Sequence, residues 1–175
     1  MPREERAPRR AVAGVVLAAG SSTRMGANKL VIEVDGEALV VRAVRRAAAA
    51  GLNPVVVVLG HDSDRVARAL EGVPCRPVVN ALHQSGQGSS FRCGIAAIPE
   101  FADAAVVLLA DMPMVTSDMI AAVVDHYRAT GAPLPRLCNT VLLGTTRPKR
   151  AASGSRRSSS SIATAYGHSS SSASR

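Results

Sequence analysis

Tryptophan is absent, and phenylalanine and tyrosine occur only twice each in 175 residues. A core without large rings must be built from Val, Ala, Leu and Ile, a palette that suits strands buried between helices. Cysteine is nearly as scarce. Cys75, Cys93 and Cys138 form no C-x-x-C pair and no zinc-type spacing. Their odd, sparse count fits a reducing, cytoplasmic setting, with all three as small apolar fillers. Long apolar runs are missing too. Residues 12–19 form only a strand-length stretch behind the charged start MPREERAPRR, so neither a signal peptide nor a membrane span is expected.

Acidic residues are lacking at one end: none follows Asp125. The net charge of +8 is correspondingly uneven. Residues 1–10 contribute +2, residues 11–135 contribute −1, and residues 136–175 contribute +7. The basicity sits in the ends and not in the body, which argues against a nucleic-acid-binding domain.

What is present reads as one domain. Residues 11–19, 54–59, 76–79 and 104–110 are short runs rich in Val, Ala and Leu, fit for buried strands. Between them, residues 38–50, 63–70, 89–98 and 116–130 read as helices. Asp62 is placed to cap the second of these, and Thr116 or Ser117 the last. Arg42, Arg45 and Arg46 read as a solvated helix face. Strands alternating with helices predict an open parallel sheet covered on both faces, with ligands beyond the carboxyl ends of its strands where strand order reverses. After about residue 135 the composition changes. Residues 147–175 are mostly Ser, Arg and Ala and have too little apolar surface to offset their ordering entropy, which predicts a disordered tail. So abrupt a change fits an unrelated extension or a shifted reading frame. The expected organisation is a charged extension over 1–10, a domain over 11–146 that diverges after about 136, and the tail over 147–175.

Chemistry concentrates in Leu17-Ala18-Ala19-Gly20-Ser21-Ser22-Thr23-Arg24-Met25-Gly26-Ala27-Asn28-Lys29. A buried strand opens here into a loop of small residues, which lets backbone approach a flat base and a phosphate chain. Main-chain N–H groups in such a loop form an anion-binding concavity. Arg24 and Lys29 supply positive charge for phosphates. The pattern is neither G-x-x-x-x-G-K-[ST] nor G-x-G-x-x-G. A second element, Leu109-Ala110-Asp111-Met112-Pro113, puts a carboxylate at a strand end, where it can reach a divalent ion bridging phosphates. A third combines Asn80 with Gly86-Gln87-Gly88-Ser89-Ser90, a helix start rich in N–H groups and hydroxyls. His61 and His83 read as loop histidines.

The first element, L-A-A-G-x-S-x-R-M-G-x-x-K, resembles the signature of the MobA-like nucleotidyltransferases, with nine named positions in thirteen residues. The branch it looks most like is the molybdenum cofactor cytidylyltransferases. The resemblance covers about residues 12–135. It implies a three-layer α/β/α sandwich around a mostly parallel sheet, like the nucleotide-diphospho-sugar transferases. It also implies transfer of CMP from CTP to the terminal phosphate of molybdenum-bound molybdopterin, with release of pyrophosphate and a molybdoenzyme as partner. Lys29, Arg24 and Asp111 would be catalytic, with Asp111 the Mg2+ ligand. Leu17, Ala18, Ala19, Gly20, Ser21, Arg24, Lys29, Asn80 and Ser89 would hold the nucleotide. Ala19 resembles the cytidylyl branch, where the guanylyl branch usually has Gly; GTP stays the alternative. Family members continue into a G-[HN]-P-V element and a later G-D-x-G element. Residues 139–144 look like a remnant of the former, with Cys138 and Thr140 where Gly and Pro stand in the family. The latter's Asp is missing. That leaves three further readings: a nucleotide-binding remnant without turnover, a sugar-phosphate nucleotidyltransferase, and a partner protein acting through its basic tail. Strands that would complete the sheet are expected to be missing, leaving an open edge.

Overall fold

The structure, a computed structural model, describes residues 10–20 and 28–131, and the backbone of 141–144. Ser21, Arg24, Cys138 and the 147–175 tail lie outside the described residues, as do the first nine residues. Among the described residues five strands form the main sheet: β1 (Val12–Ala18), β4 (Val55–Leu59), β5 (Arg76–Val79), β6 (Ala104–Leu109) and β7 (Val141–Gly144), in the order β5-β4-β1-β6-β7. The four strands expected from sequence make three pairings, all parallel, and β7, which was not expected, adds to the sheet antiparallel to β6. Backbone pairing tolerates a divergent sequence because it uses N–H and C=O groups that every non-proline residue carries.

Among the described residues four helices cover the sheet: α1 (Leu39–Ala49), α2 (Ser63–Ala69), α3 (Gln87–Ala96) and α4 (Ser117–Thr130). Side chains alternate along each strand. Val12, Val16 and Ala18 therefore share one core with Val40, Val44 and Ala47 of α1, Val66 of α2, and Ile120 and Val124 of α4. Ala13 and Val15 face the other way and pack with Phe91, Cys93 and Ile95 of α3. This is the three-layer sandwich. Each fully buried valine contributes roughly 1.5–3 kcal/mol relative to exposure, and ten of them, with Leu59 and Ile120, are the largest fully buried side chains among the described residues. No described helix is long and apolar enough to cross a membrane. Cys75 and Cys93 are free and half-buried, and burial pushes the Cys75 thiol up from its ordinary value.

The α3 layer depends on one glycine. A Cβ on Gly94 would stand 2.4 Å from Val15 Cγ1 and 3.0 Å from Val58 Cγ2. Gly94→Ala should therefore lower stability by about 1–3 kcal/mol through overpacking. Denaturant titration checks this; an unchanged midpoint would mean that α3 can back away from the sheet at no cost.

Two local expectations are corrected. Asp62 does precede α2, but its backbone is left-handed (φ 58°, ψ 38°) and its side chain makes no cap hydrogen bond. A capping carboxylate reaches the first-turn N–H groups from extended backbone, so a left-handed residue cannot do so. The second surprise is a two-strand hairpin, β2 (Glu33–Val34) with β3 (Glu37–Ala38), turning through Asp35 and Gly36 at positive φ. Thr116 caps α4 as expected, accepting from Met119 N at 3.3 Å. Arg10 ends the charged N-terminal stretch by donating to Tyr127 O at 3.2 Å, which holds the chain's entry against α4.

Candidate functional site

From β1 the chain crosses to β4 and β5 on one side, and later to β6 on the other. Strand order thus reverses between β1 and β6, which run in register from Val12 beside Ala104 to Leu17 beside Leu109. Beyond their carboxyl ends a cleft of about 870 Å3 opens, within the range of small-ligand sites. Leu17, Ala19 and Gly20 reach it from the end of β1, Leu109 and Asp111 from the end of β6, and Lys29 from the segment that begins at Asn28. His61, His83 and Ser90 complete much of the rim.

Each of these positions has a local cause. Lys29 opens a short 3-10 turn, Lys29–Val31, that Asn28 caps by accepting from Leu30 N at 3.1 Å. Leu30 is buried and roots the turn in the core, so the exposed Lys29 stands at the cleft. Gly60, just after β4, meets Ala19 so closely that a Cβ would lie 2.7 Å from Ala19 O and 2.7 Å from His83 Cβ. Glycine is required there by contact, and it brings the β1 and β4 ends together. Asp111 is exposed and lies two residues beyond the end of β6, after the buried Ala110.

Of the residues expected to hold a nucleotide, Leu17, Ala19, Gly20 and Lys29 line the cleft, as does Asp111. Ala18 is fully buried in the core beneath. Asn80 and Ser89 are also buried and stand behind the wall. Asn80 Nδ2 donates to Ser89 Oγ and Ser90 Oγ, both at 3.0 Å, and its Oδ1 accepts from Leu82 N at 3.0 Å. Ser89 Oγ lies 2.8 Å from the carbonyls of Leu82 and Gly86. These two side chains knit the 80–90 segment together, while Ser90, Gly86 and Gln87 present it to the cleft. The sequence shows the Ser-Ser pair but not that Ser90, and not Ser89, lines the cleft; helix phase decides that. His61 and His83 meet edge-on, with ring centroids 6.4 Å apart.

The arginine face of α1 is not simply solvated. Arg45 is exposed and pairs with Glu37 at 2.8 Å, but the Arg42 side chain is only 15% exposed and contacts Asp35, Glu37 and Val34 O. The hairpin supplies these acids, and no periodicity in the sequence announced it. Arg46 reaches instead to the segment after Asp111.

Among the described residues no group of three or more His, Cys, Asp or Glu could cage a metal. Asp111 is a hard oxygen donor in a cleft of phosphate-sized reach. That fits magnesium or manganese carried in by a nucleotide, since such ions keep waters and bind through one or two carboxylates plus phosphate oxygens.

Comparison with known proteins follows the same outline. Residues 14–170 match the MobA-like NTP transferase domain. Bifunctional protein GlmU of Mycobacterium sp. (strain KMS) is 34% identical over 126 residues, covering 67% of this chain and 25% of GlmU. The chain thus spans about a quarter of the curated relatives it matches. Among solved structures, a nucleotidyl transferase from Methanothermobacter thermautotroptrophicus superposes with a TM-score of 0.62 at 26% identity, covering 66% of this chain and 57% of that one. Rv0371c from Mycobacterium tuberculosis H37Rv gives a TM-score of 0.62 at 26% identity, covering 69% and 62%. The same protein in complex with manganese gives 0.56 at 25% identity, covering 68% and 60%. These likenesses are to nucleotidyltransferases as a class and to no one acceptor. With the matched domain spanning most of the chain and both signature elements meeting at one cleft, the protein belongs to the MobA-like NTP transferase family of nucleotidyltransferases.

Proposed function

We propose that the protein binds CTP with a divalent cation in the switch-point cleft and transfers CMP to the terminal phosphate of a molybdopterin-type acceptor, releasing pyrophosphate. The observation that carries the reading is the meeting of Lys29 and Asp111, distant in sequence, on one cleft. Lys29 neutralises charge at the α-phosphate and on the departing pyrophosphate. The backbone at Ala19 and Gly20 lies against the nucleotide, where side chains are too small to keep it away. Asp111 holds magnesium, which when bound screens the phosphate oxygens. Arg24, on sequence grounds, holds the β- and γ-phosphates. An acceptor phosphate is already a nucleophile, so the chain's work is to align two phosphates and offset their charge. The manganese complex of Rv0371c is consistent with a divalent-cation site in a relative.

A second reading, binding without turnover, is favoured by one observation: residues 126–175 contain no carboxylate that could assist the metal. Calorimetric titration of CTP and GTP, with and without magnesium, tests the first reading. Magnesium-dependent binding with CTP preferred is the expected result; preference for GTP would move the protein to the guanylyl branch, and no binding of either would overturn the site. Pyrophosphate release in the presence of molybdopterin separates turnover from binding alone.

A further inference from the structure

We propose that Arg46 is a positioning residue that fixes the Asp111 segment and so sets the affinity for the nucleotide's divalent cation; this rests on the site reading above. Arg46 Nη1 donates to Pro113 O at 2.5 Å and to Val115 O at 2.9 Å. Both carbonyls belong to the short stretch that carries Asp111 from β6 towards α4. Apart from Val115, which packs against the core, that stretch has little else to order it. Pro113 has no N–H to donate, Met114 is 82% exposed, and the internal backbone bond there, Val115 N to Met112 O, is long at 3.3 Å.

The anchor itself is rigid. Arg46 is half-buried on α1, whose Val40, Val44 and Ala47 are fully buried in the core. The same helix begins where Leu39 N donates to Ile32 O, just after the turn that carries Lys29. One helix therefore holds the Lys29 turn near its start and the Asp111 segment further along. The spacing between the phosphate-binding cation and the metal-binding carboxylate is thereby tied to a rigid rod. Among the described residues Arg46 forms no ion pair, in contrast to Arg42 and Arg45. Its charge is directed wholly at the two carbonyls, a task for which a planar guanidinium with several fixed donors is suited.

The test uses the full chain with Arg46→Met, Arg46→Lys and Asp111→Asn, measuring CTP binding across a magnesium titration and amide hydrogen exchange by segment. For Arg46→Met the expected result is a magnesium midpoint raised about fivefold. Metal-free CTP affinity should hold, and exchange should quicken at Met112, Met114 and Val115 but not in α1. Arg46→Lys should fall between. An unchanged midpoint in Arg46→Met, where Asp111→Asn abolishes the magnesium response, overturns the inference and leaves the site reading standing. Faster exchange throughout α1 with loss of metal-free CTP binding, in both Arg46 variants, also overturns it, because Arg46 would then serve only stability. A normal magnesium response in Asp111→Asn overturns the site reading, and the inference with it.

Discussion

Lys29→Ala should weaken CTP binding roughly tenfold or more, the loss expected when a charge-assisted contact to phosphate is removed. The fold should survive, because Leu30 and not Lys29 roots the turn in the core, and Asn28 still caps it. Lys29 is exposed at the cleft, so its attraction for a triphosphate is screened by salt. The difference between wild type and variant should therefore shrink as ionic strength rises. Calorimetry at low and high salt measures both effects. Lys29→Arg should retain part of the affinity, since charge is kept while the point-like ammonium is not. Equal affinity in wild type and Lys29→Ala at low salt would remove Lys29 from the site.

Asp111→Asn should abolish the response to magnesium. The substitution keeps size and hydrogen bonding but removes the charge that a hard cation requires. The residue is exposed at the end of β6, so little stability should be lost. Wild-type binding of CTP should strengthen as magnesium is added; the variant's should not. Turnover, where wild type shows it, should fall by about two orders of magnitude, the scale of losing one preorganised electrostatic contact. Manganese should behave as magnesium does, because among the described residues the cleft offers the ion one carboxylate and leaves the rest to phosphate and water. A variant that responds to magnesium like the wild type would make Asp111 a turn residue only.

Much of the scaffold was legible because its signals are local. Four apolar runs bounded by Gly, Pro and polar residues became β1, β4, β5 and β6, within a residue at each end in most cases. Helix α1 announced itself through its run of alanines and the arginines at 42, 45 and 46, stopped by Gly51, Asn53 and Pro54. The hairpin at 33–38 escaped because two-residue strands have no period to detect. Without the hairpin, the arginine face looked solvated. Strand β7 escaped for another reason: its sequence departs from the family's pattern, while its pairing with β6 runs through backbone alone.

By itself, the sequence determined the class of fold, the family signature and the charges available for a nucleotide, because propensity, periodicity and motif spacing are properties of neighbouring residues. Tertiary structure decided which of those residues share a surface. It joined Lys29 to Asp111 across the β1–β6 pairing, turned Ser90 rather than Ser89 to the cleft, and sent Arg46 to the carbonyls beyond Asp111. Those outcomes depend on strand order, helix phase and the reach of one side chain across some seventy residues of intervening sequence. Contacts of that kind are set by packing in three dimensions, which no local stretch of the chain encodes.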